Sequence, residues 1–279
     1  MELHTFEVKL PDSYRQEWRL YFIGDIHYSH LGCDRRALNG DIKEVAATPN
    51  AYWFGMGDYD EYITFTDPRF DPEAFDKDTK VDFLKMMGEK QTRKIVDVLE
   101  PIKDKCIGIV EGNHELEYGK RNDYDPAVGV AKGLNTKFLS YEALTRIYVS
   151  GPDGRKRYSI VVFTHHGWGG GMTEGAALNR LAGLVKEWDA DIYVTGHNHK
   201  MVSAISPRLG INTSGKYYSR SVVLITSGTY LKTKQVGIQG YEVKKGGKPT
   251  PIGCSKIRIK GNNAGNFGIE AGIEHKVWS

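Results

Sequence analysis

Aspartate, asparagine and histidine recur at short spacing in five segments of the chain. These segments are Asp25-Ile26-His27, Gly57-Asp58, Gly112-Asn113-His114, Thr164-His165-His166 and Gly196-His197-Asn198-His199. Carboxylate and amide oxygens mixed with imidazole nitrogens suit borderline divalent ions, and the absence of thiolate argues against a structural zinc site. Two such ions about 3.5–4 Å apart can lower the pKa of a bridging water and hold both oxygens of an in-line phosphoryl displacement. The residue types therefore favour a metal site.

Each segment follows a short apolar run that is typical of a buried strand. The runs cover residues 19–23, 51–56, 107–110, 158–163 and 192–195. In α/β sheets, ligands bind at the edge where such strands end. Taken singly, an aspartate or asparagine after a strand is more often a turn former, and His-x-His is more often two alternating strand residues. The joint presence of the segments in this order predicts one shared site.

The remaining elements surround these strands. Helices are predicted at 34–47, 78–99, 126–134 and 173–188, the last with Thr173 as its N-cap. Residues 62–76 are interpreted as a long loop, and 115–140 as otherwise irregular. Further strands are predicted at 3–10 and 144–149, and after residue 200 at 201–205, 217–226, 238–244, 254–260 and 269–277.

The composition is that of an ordinary globular protein, with 279 residues, 40% hydrophobic and 26% charged. No apolar run approaches the roughly eighteen residues of a membrane-spanning helix. The N-terminus lacks the basic-then-apolar pattern of a signal peptide. The three cysteines are scattered without metal or redox spacing. We therefore expect a cytoplasmic protein without a membrane partner.

Charge is concentrated near the C-terminus. Residues 231–260 carry eight lysines and arginines against one glutamate, although the net charge of the chain is only +3. Such a segment could face a phosphate-rich partner such as nucleic acid. A solvated lysine-rich hairpin edge that resists aggregation explains it equally well.

The five segments, in this order, resemble the motifs of the calcineurin-like metallophosphoesterase superfamily. The matching motifs span residues 24–199. The resemblance implies an α/β fold, a four-layer α/β/β/α sandwich of two mixed sheets flanked by helices, with two metal ions at the strand ends. We expect one domain over residues 1–279, with a motif-bearing core at about 19–200 and a β-rich basic part at about 201–279 that completes the sandwich.

The resemblance also implies the ligands. One ion would be held by Asp25, His27, Asp58 and His199, and the other by Asp58, Asn113, His165 and His197, so that Asp58 bridges the two. His165 is preferred to His166 because it is the first residue after the predicted strand. Mn²⁺ is the expected metal, with Fe, Zn²⁺, Co²⁺ or Ni²⁺ as alternatives.

His114 follows a ligand but matches a residue that binds no metal in the superfamily. The resemblance implies that it protonates the leaving oxygen or stabilises the charged transition state. Such a histidine needs a carboxylate to orient it. Glu61 falls at the matching position, and Asp60 is the competing candidate.

The chain departs from the Ser/Thr protein phosphatases of the superfamily. Glu111 occupies the place of a phosphate-binding arginine in those enzymes, and Tyr62 occupies the place of another. A protein phosphatase is therefore disfavoured. His30 and His166 are the basic residues expected to touch the substrate.

A glycine-rich loop precedes the helix at 173–188. Backbone N–H groups of Gly169 and Gly170 could cradle an anion there, although a flexible connection explains the glycines as well. Trp168, together with Tyr59, Tyr62, Phe65 and Phe70, could stack on a base or simply cover the loop.

Three functions remain open. The first is a phosphodiesterase or nuclease that acts on a nucleotide or nucleic acid, favoured by the basic segment and the aromatic residues. The second is a phosphomonoesterase or pyrophosphatase for a small phosphorylated metabolite, favoured by the modest total charge. The third is a non-catalytic scaffold on the same fold, disfavoured because every motif residue is present. The sequence does not indicate the oligomeric state.

Overall fold

A computed structural model describes residues 2–64, 86–171, 173–232, 249–262 and 267–272. Within these ranges the strands are β1 (Glu2–Lys9), β2 (Trp18–Ile23), β3 (Ala51–Gly55), β4 (Cys106–Ile109), β5 (Glu142–Ser150), β6 (Lys156–His165), β7 (Ile192–Thr195), β8 (Ser203–Ile211), β9 (Tyr217–Thr226), β10 (Gly228–Thr229), β11 (Gly253–Gly261) and β12 (Phe267–Gly272). The helices are α1 (Arg35–Ala47), α2 (Met87–Leu99), α3 (Asn113–Gly119), α4 (Pro126–Gly133) and α5 (Glu174–Glu187), with a 3-10 helix at Glu100–Lys105. Most of the predicted loop 62–76, the beginning of the predicted helix 78–99, the predicted strand 238–244 and the end of 269–277 lie outside the described residues.

The strands form two mixed sheets, which we call sheet I and sheet II. Sheet I has the order β1-β5-β6-β7-β9-β8, and sheet II has the order β10-β11-β2-β3-β4 with β12 beside β11. Strands β6, β7 and β9 are parallel in sheet I, and β2, β3 and β4 are parallel in sheet II. The candidate ligand segments follow β2, β3 and β4 in one sheet and β6 and β7 in the other. Both sheets therefore contribute to one edge.

Side chains alternate between two layers along each buried strand. Leu20 and Phe22 of β2 lie in the core between the two sheets. Tyr21 and Ile23 of the same strand face α1, α2 and α4. On the opposite side of the molecule, α5 packs Leu181 against sheet I. The order helix, sheet, sheet, helix confirms the predicted four-layer α/β/β/α sandwich.

Local capping explains where two of the predicted helices begin. The Asp34 carboxylate accepts a hydrogen bond from the third residue of α1, and the Thr173 hydroxyl does the same for α5. At the other end of α1, the Lys105 ammonium donates to three carbonyl oxygens at distances between 2.6 and 3.0 Å. None of the helices in the described ranges is long and apolar enough to cross a bilayer.

The structure has a helix, α3, where the sequence predicted an irregular stretch from residue 115 onward. It begins at Asn113, with Gly112 as its N-cap. The Glu115 carboxylate reaches back to the Gly112 N–H at 3.0 Å, as the third-position glutamate of a capping box does. A ligand segment and a helix start therefore coincide in Gly-Asn-His-Glu.

Candidate metal centre

Five candidate ligands have a left-handed backbone. Asp25, His27, Asp58, His197 and His199 have φ values between 46° and 68°. Such conformations are uncommon for residues with a side chain and cost roughly 1–3 kcal/mol each, so they persist where the fold enforces them, often at functional sites. The strained positions lie directly after β2, β3 and β7. The strand ends are therefore shaped to direct these side chains inward.

One group of electron-pair donors surrounds Asn113. Its amide oxygen lies 2.7 Å from His197 Nδ1 and 3.1 Å from His166 Nε2. His166 Nε2 is also 3.2 Å from Asp58 Oδ2. If the oxygen and nitrogen of the Asn113 amide exchange places, the amide N–H groups donate to His166, His197 and Asp58. A cation bound here would instead accept electron pairs from the amide oxygen, the imidazoles and the carboxylate. The convergence of donors fits a divalent ion.

A second group lies beside the first. His27 Nε2 is 3.2 Å from His199 Nε2, which is 3.4 Å from Asp25 Oδ1. Asp58 has a carboxylate oxygen within 4.8 Å of ligand atoms of His27, and one within the same distance of His166 and His197. The structure thus brings the two donor groups to either side of Asp58, as a bridging carboxylate requires.

His166, and not His165, belongs to the donor cluster. Strand β6 extends through His165, which is paired with Glu142 of β5. Side chains alternate along a strand, so His165 shares the outer face with Phe163, at a ring distance of 6.4 Å. His166 is the first residue beyond the strand, and it is fully buried. We therefore replace His165 by His166 as a candidate ligand, and His166 is no longer a candidate substrate contact.

The two histidines also differ in charge. Burial opposes protonation of His166, but the carboxylates of Asp58 and Asp25 outweigh it and raise the pKa of His166 to about 10. For His165, burial and the neighbouring His166 and His197 lower the pKa to about 4. The Nδ1 atom of His165 accepts a hydrogen bond from the Gly167 N–H at 2.7 Å. His165 is a neutral residue that packs beside the cluster.

The Glu61 carboxylate lies beside His27. Its Oε1 atom is 2.8 Å from His27 Nδ1. Burial raises the pKa of Glu61, but the positive charge of His27 outweighs it and lowers the pKa to about 2. The segment after β3 runs along the segment after β2, where the Ile26 N–H donates to the Asp58 carbonyl. This pairing directs the Glu61 side chain to His27.

His114 is held by the main chain of Glu61. Its Nδ1 lies 2.6 Å from the Glu61 carbonyl oxygen, to which it donates in the tautomer protonated at Nδ1. The His114 N–H donates to Asp58 Oδ1 at 3.0 Å. The competing candidate, Asp60, instead accepts from the N–H and hydroxyl of Ser29 at 2.7 and 2.8 Å. His114 therefore lies against the metal-ligand cluster with its Nδ1 anchored.

Glu115 has a role that the sequence reasoning did not assign. It is fully buried. Its carboxylate accepts hydrogen bonds from the N–H groups of Asp58, Tyr59 and Gly112 at 3.0, 2.8 and 3.0 Å. One side chain thus ties the loop after β3 to the loop after β4. The sequence signal for this role is a glutamate three residues after Gly112, which is the spacing of a capping box.

The expected substrate contacts lie around this edge. His30 is partly buried, and its Nδ1 accepts from the Gly32 N–H at 2.8 Å. Gly169 and Gly170 lie in the exposed loop between β6 and α5. Trp168 in the same loop is 45% exposed and packs edge-on against His165. Among the other aromatic candidates, Tyr59 and Tyr62 are buried and cannot stack on a ligand, and Phe65 and Phe70 lie outside the described residues.

Glu111 lies next to the cluster. It is 9% exposed and directly precedes Gly112. Burial, followed by the charge of Asp125, raises the pKa of Glu111 to about 7, against the opposing charges of Lys120 and His166. Its position just before Gly112 and the electrostatic influence of His166 place this carboxyl group near the donor group that contains Asn113 and His166.

Most of the basic segment 231–260 lies outside the described residues. Two of its described lysines are neutralised within the fold. Lys232 pairs with Asp34 at 2.7 Å, and Lys256 pairs with Glu44 at 2.8 Å. These two lysines pair with carboxylates of the fold and give no support to a nucleic-acid surface.

A family model described as calcineurin-like phosphoesterase matches residues 19–201. The chain belongs to the calcineurin-like phosphoesterase family. A structure of Chaetomium thermophilum Vps29 is similar at 10% identity and a TM-score of 0.40, over 91% of this chain and 94% of that chain. A structure of Haemophilus influenzae NAD nucleotidase (NadN) is similar at 11% identity and a TM-score of 0.42, over 91% of this chain and 49% of that chain. A search of curated protein sequences gives no significant match.

Family membership confirms the resemblance that the five segments indicated. The family implies metal-dependent hydrolysis of a phosphoester, and its members typically bind two divalent ions. The two donor groups around Asp58 fit that requirement. Neither structural neighbour indicates the substrate of this chain, because the likeness is too distant.

Proposed function

We propose that this phosphoesterase hydrolyses a phosphodiester of a nucleotide or nucleic acid. The observation that carries the proposal is the pair of donor groups that meet at Asp58, with His114 beside them. One proposed ion site consists of Asp25, His27, Asp58 and His199. The other consists of Asp58, Asn113, His166 and His197. When these residues hold divalent ions, with Mn²⁺ as the first candidate, the ions would supply an activated water and would neutralise charge on the scissile phosphate.

The protein residues prepare the site for this reaction. Glu61 fixes the orientation of His27, and Glu115 holds Asp58 in register with Gly112. His114 has its Nδ1 hydrogen-bonded to the Glu61 carbonyl oxygen, so in the doubly protonated imidazolium the proton on Nε2 is the one that passes to the leaving oxygen. We assign His114 as the general acid on this basis.

Glu111 supports a diester over a monoester. A phosphomonoester is largely a dianion near neutral pH, whereas a diester is a monoanion. When it is ionised, a carboxyl group near the donor group that contains Asn113 and His166 repels the dianion more strongly than the monoanion. The exposed indole of Trp168 provides a flat apolar surface for a base near the same edge.

A hydrolysis panel in the presence of Mn²⁺ tests the proposal. It compares bis(p-nitrophenyl) phosphate, p-nitrophenyl phosphate, cyclic nucleotides, and single- and double-stranded DNA, with the His114→Ala variant as control. We expect the highest kcat/KM on a diester and a large loss in the variant. Preference for the monoester would show a phosphomonoesterase instead. A metal-loaded protein that hydrolyses no member of the panel would point to a non-catalytic role.

A further inference from the structure

Lys200 follows the candidate ligand His199 and is buried in an unusual setting. The residue is 6% exposed. Its ammonium lies 3.8 Å from Glu174 Oε1, too far for a hydrogen bond, and the Glu174 side chain is 66% exposed. Within the part of the chain that the structure describes, Lys200 Nζ has no hydrogen-bond acceptor. A largely buried cation without a close acceptor favours binding of an anion.

Arg180 lies beside the loop between β6 and α5. An atom at the Cβ position of Gly171 would be 3.1 Å from Arg180 Nη2, and one on Gly169 would be 3.6 Å from Nη1. The guanidinium therefore packs against the loop backbone. Its Nη2 atom is buried and has no hydrogen-bond partner among the described residues. Lys200 thus lies by the first residue of α5, and Arg180 lies by the loop that leads into that helix.

The loop itself offers donors. Among the described residues, the N–H groups of Gly169 and Gly170 donate to no protein acceptor. Apart from the adjoining residues of the chain, no atom of the described residues lies within 4 Å of the position that a Cβ on Gly170 would occupy, so a ligand can approach its backbone. The N-terminus of the fourteen-residue helix α5 follows directly and adds a favourable field for an anion.

This loop is adjacent to the metal centre. Gly167 directly follows His166, and a Cβ at Gly167 would be 2.7 Å from the Gly196 carbonyl oxygen and 2.9 Å from His197 Cβ. The segments after β6 and β7 therefore leave the candidate ligands side by side. Lys200 follows the segment after β7, and its ammonium lies close to the first residue of α5, the helix that follows the loop after β6.

We propose that Lys200, Arg180 and the backbone of Gly169 and Gly170 form a subsite for a second phosphate of the substrate. This inference rests on the proposed phosphodiesterase function and narrows its substrate. The class it selects carries another phosphate near the scissile diester, as an oligonucleotide or a terminally phosphorylated dinucleotide does. A substrate with a single phosphate leaves the subsite empty.

Matched dinucleotides test the subsite by kinetics. Thymidylyl-thymidine has only the scissile phosphate, and its 5′- and 3′-phosphorylated forms add one at either end. We expect wild-type protein to favour one phosphorylated form by about tenfold in kcat/KM, the size of a charge-assisted hydrogen bond. In Lys200→Gln this ratio should fall close to one. The variant Lys186→Gln, which removes a charge from the exposed end of α5, should keep the ratio.

A binding measurement keeps the subsite testable if the proposed function is wrong. Calorimetry on Mn²⁺-loaded protein compares adenosine 5′-monophosphate with adenosine 3′,5′-bisphosphate. The bisphosphate should bind about tenfold more tightly to wild-type protein and lose that advantage in Lys200→Gln. Equal affinities in wild-type protein, or an advantage that persists in the variant, would overturn the subsite. Failure to hydrolyse any diester, with the advantage intact, would overturn only the proposed function.

Discussion

His165 and His166 are adjacent in the chain, but only the second imidazole reaches the donor cluster. The difference arises because β6 continues through residue 165 and directs that side chain to the outer face of sheet I. The side chain and the main chain of Glu61 also have different partners. Its carboxylate contacts His27, while its carbonyl oxygen contacts His114. Single residues therefore acquire their roles from backbone direction as much as from side-chain chemistry.

The two histidines can be distinguished by metal binding. We expect His166→Ala to weaken Mn²⁺ binding at one of two sites by tenfold or more, since it removes a ligand. His165→Ala should retain both ions because its imidazole lies outside the cluster. Calorimetric titration of each metal-free variant with Mn²⁺ measures the number of ions bound and their affinities. If His165→Ala loses one Mn²⁺ site and His166→Ala loses none, His165 is the ligand, as the sequence predicted.

His114→Ala tests the proposed acid. Its imidazole contacts the cluster but is not needed for either proposed ligand set, so the metal content should stay unchanged. Turnover of a diester with a poor leaving group should fall by a factor of about 10² or more. A p-nitrophenol leaving group needs less proton donation, so the loss should be smaller for the aryl diester. Near-normal turnover of both substrates would remove His114 from the mechanism.

At the scale of elements, the site depends on loops that are fixed to one another. The loop after β3 donates two N–H groups to Glu115, and the loop after β4 donates a third. His197 N–H donates to the Asp25 carboxylate at 3.1 and 3.2 Å, which joins the loop after β7 to the loop after β2. The parallel strands place these loops at one edge, and the hydrogen bonds set their mutual register.

Glu115→Gln should disturb that register. The new amide nitrogen must face N–H donors on one side of the side chain, which leaves buried donors unsatisfied. We expect a loss of about 1–3 kcal/mol in the free energy of unfolding, measured in urea on metal-free protein. The control Glu117→Gln lies on the same helix but is partly exposed, and its pairs with Lys120 and Arg121 should be worth under about 1 kcal/mol. Equal losses in the two variants would show that Glu115 contributes no more than a surface ion pair.

At the scale of the molecule, the proposed ions connect two sheets. Asp25, Asp58 and Asn113 follow strands of sheet II, whereas His166 and His197 follow strands of sheet I. An ion held between them binds the folded arrangement and has no matching site in the unfolded chain. The metal should therefore stabilise the packing of the whole sandwich.

Unfolding with and without metal measures this effect. Free Mn²⁺ at about one hundred times its Kd should raise the free energy of unfolding by about 2.7 kcal/mol per site. In Asp58→Asn the increase should be much smaller, because the residue shared by both donor groups loses a charge. An equal increase in the variant would place Mn²⁺ binding elsewhere.

Much of the fold was predictable from local sequence. The apolar runs that precede Asp25, Asp58, Asn113, His165 and His197 identify buried strands without any partner being known. Helices α1 and α5 carry their own caps and apolar faces. Helix α3 was missed because its start overlaps a ligand segment, and its signal, Glu115, was not used as a cap.

The sequence by itself determined which residue types gather at the strand ends, because the ligand segments are short and each follows its own strand. It also determined the family and the four-layer architecture through those same segments. Only the tertiary structure shows that His166, rather than His165, lies in the donor cluster, and that His114 contacts the main chain of Glu61. Those placements depend on where β6 stops pairing with β5 and on how the loop after β3 lies along the loop after β2. Lys200 and Arg180, twenty residues apart, lie near the first residue of α5 and the loop before it only through the packing of α5 on sheet I.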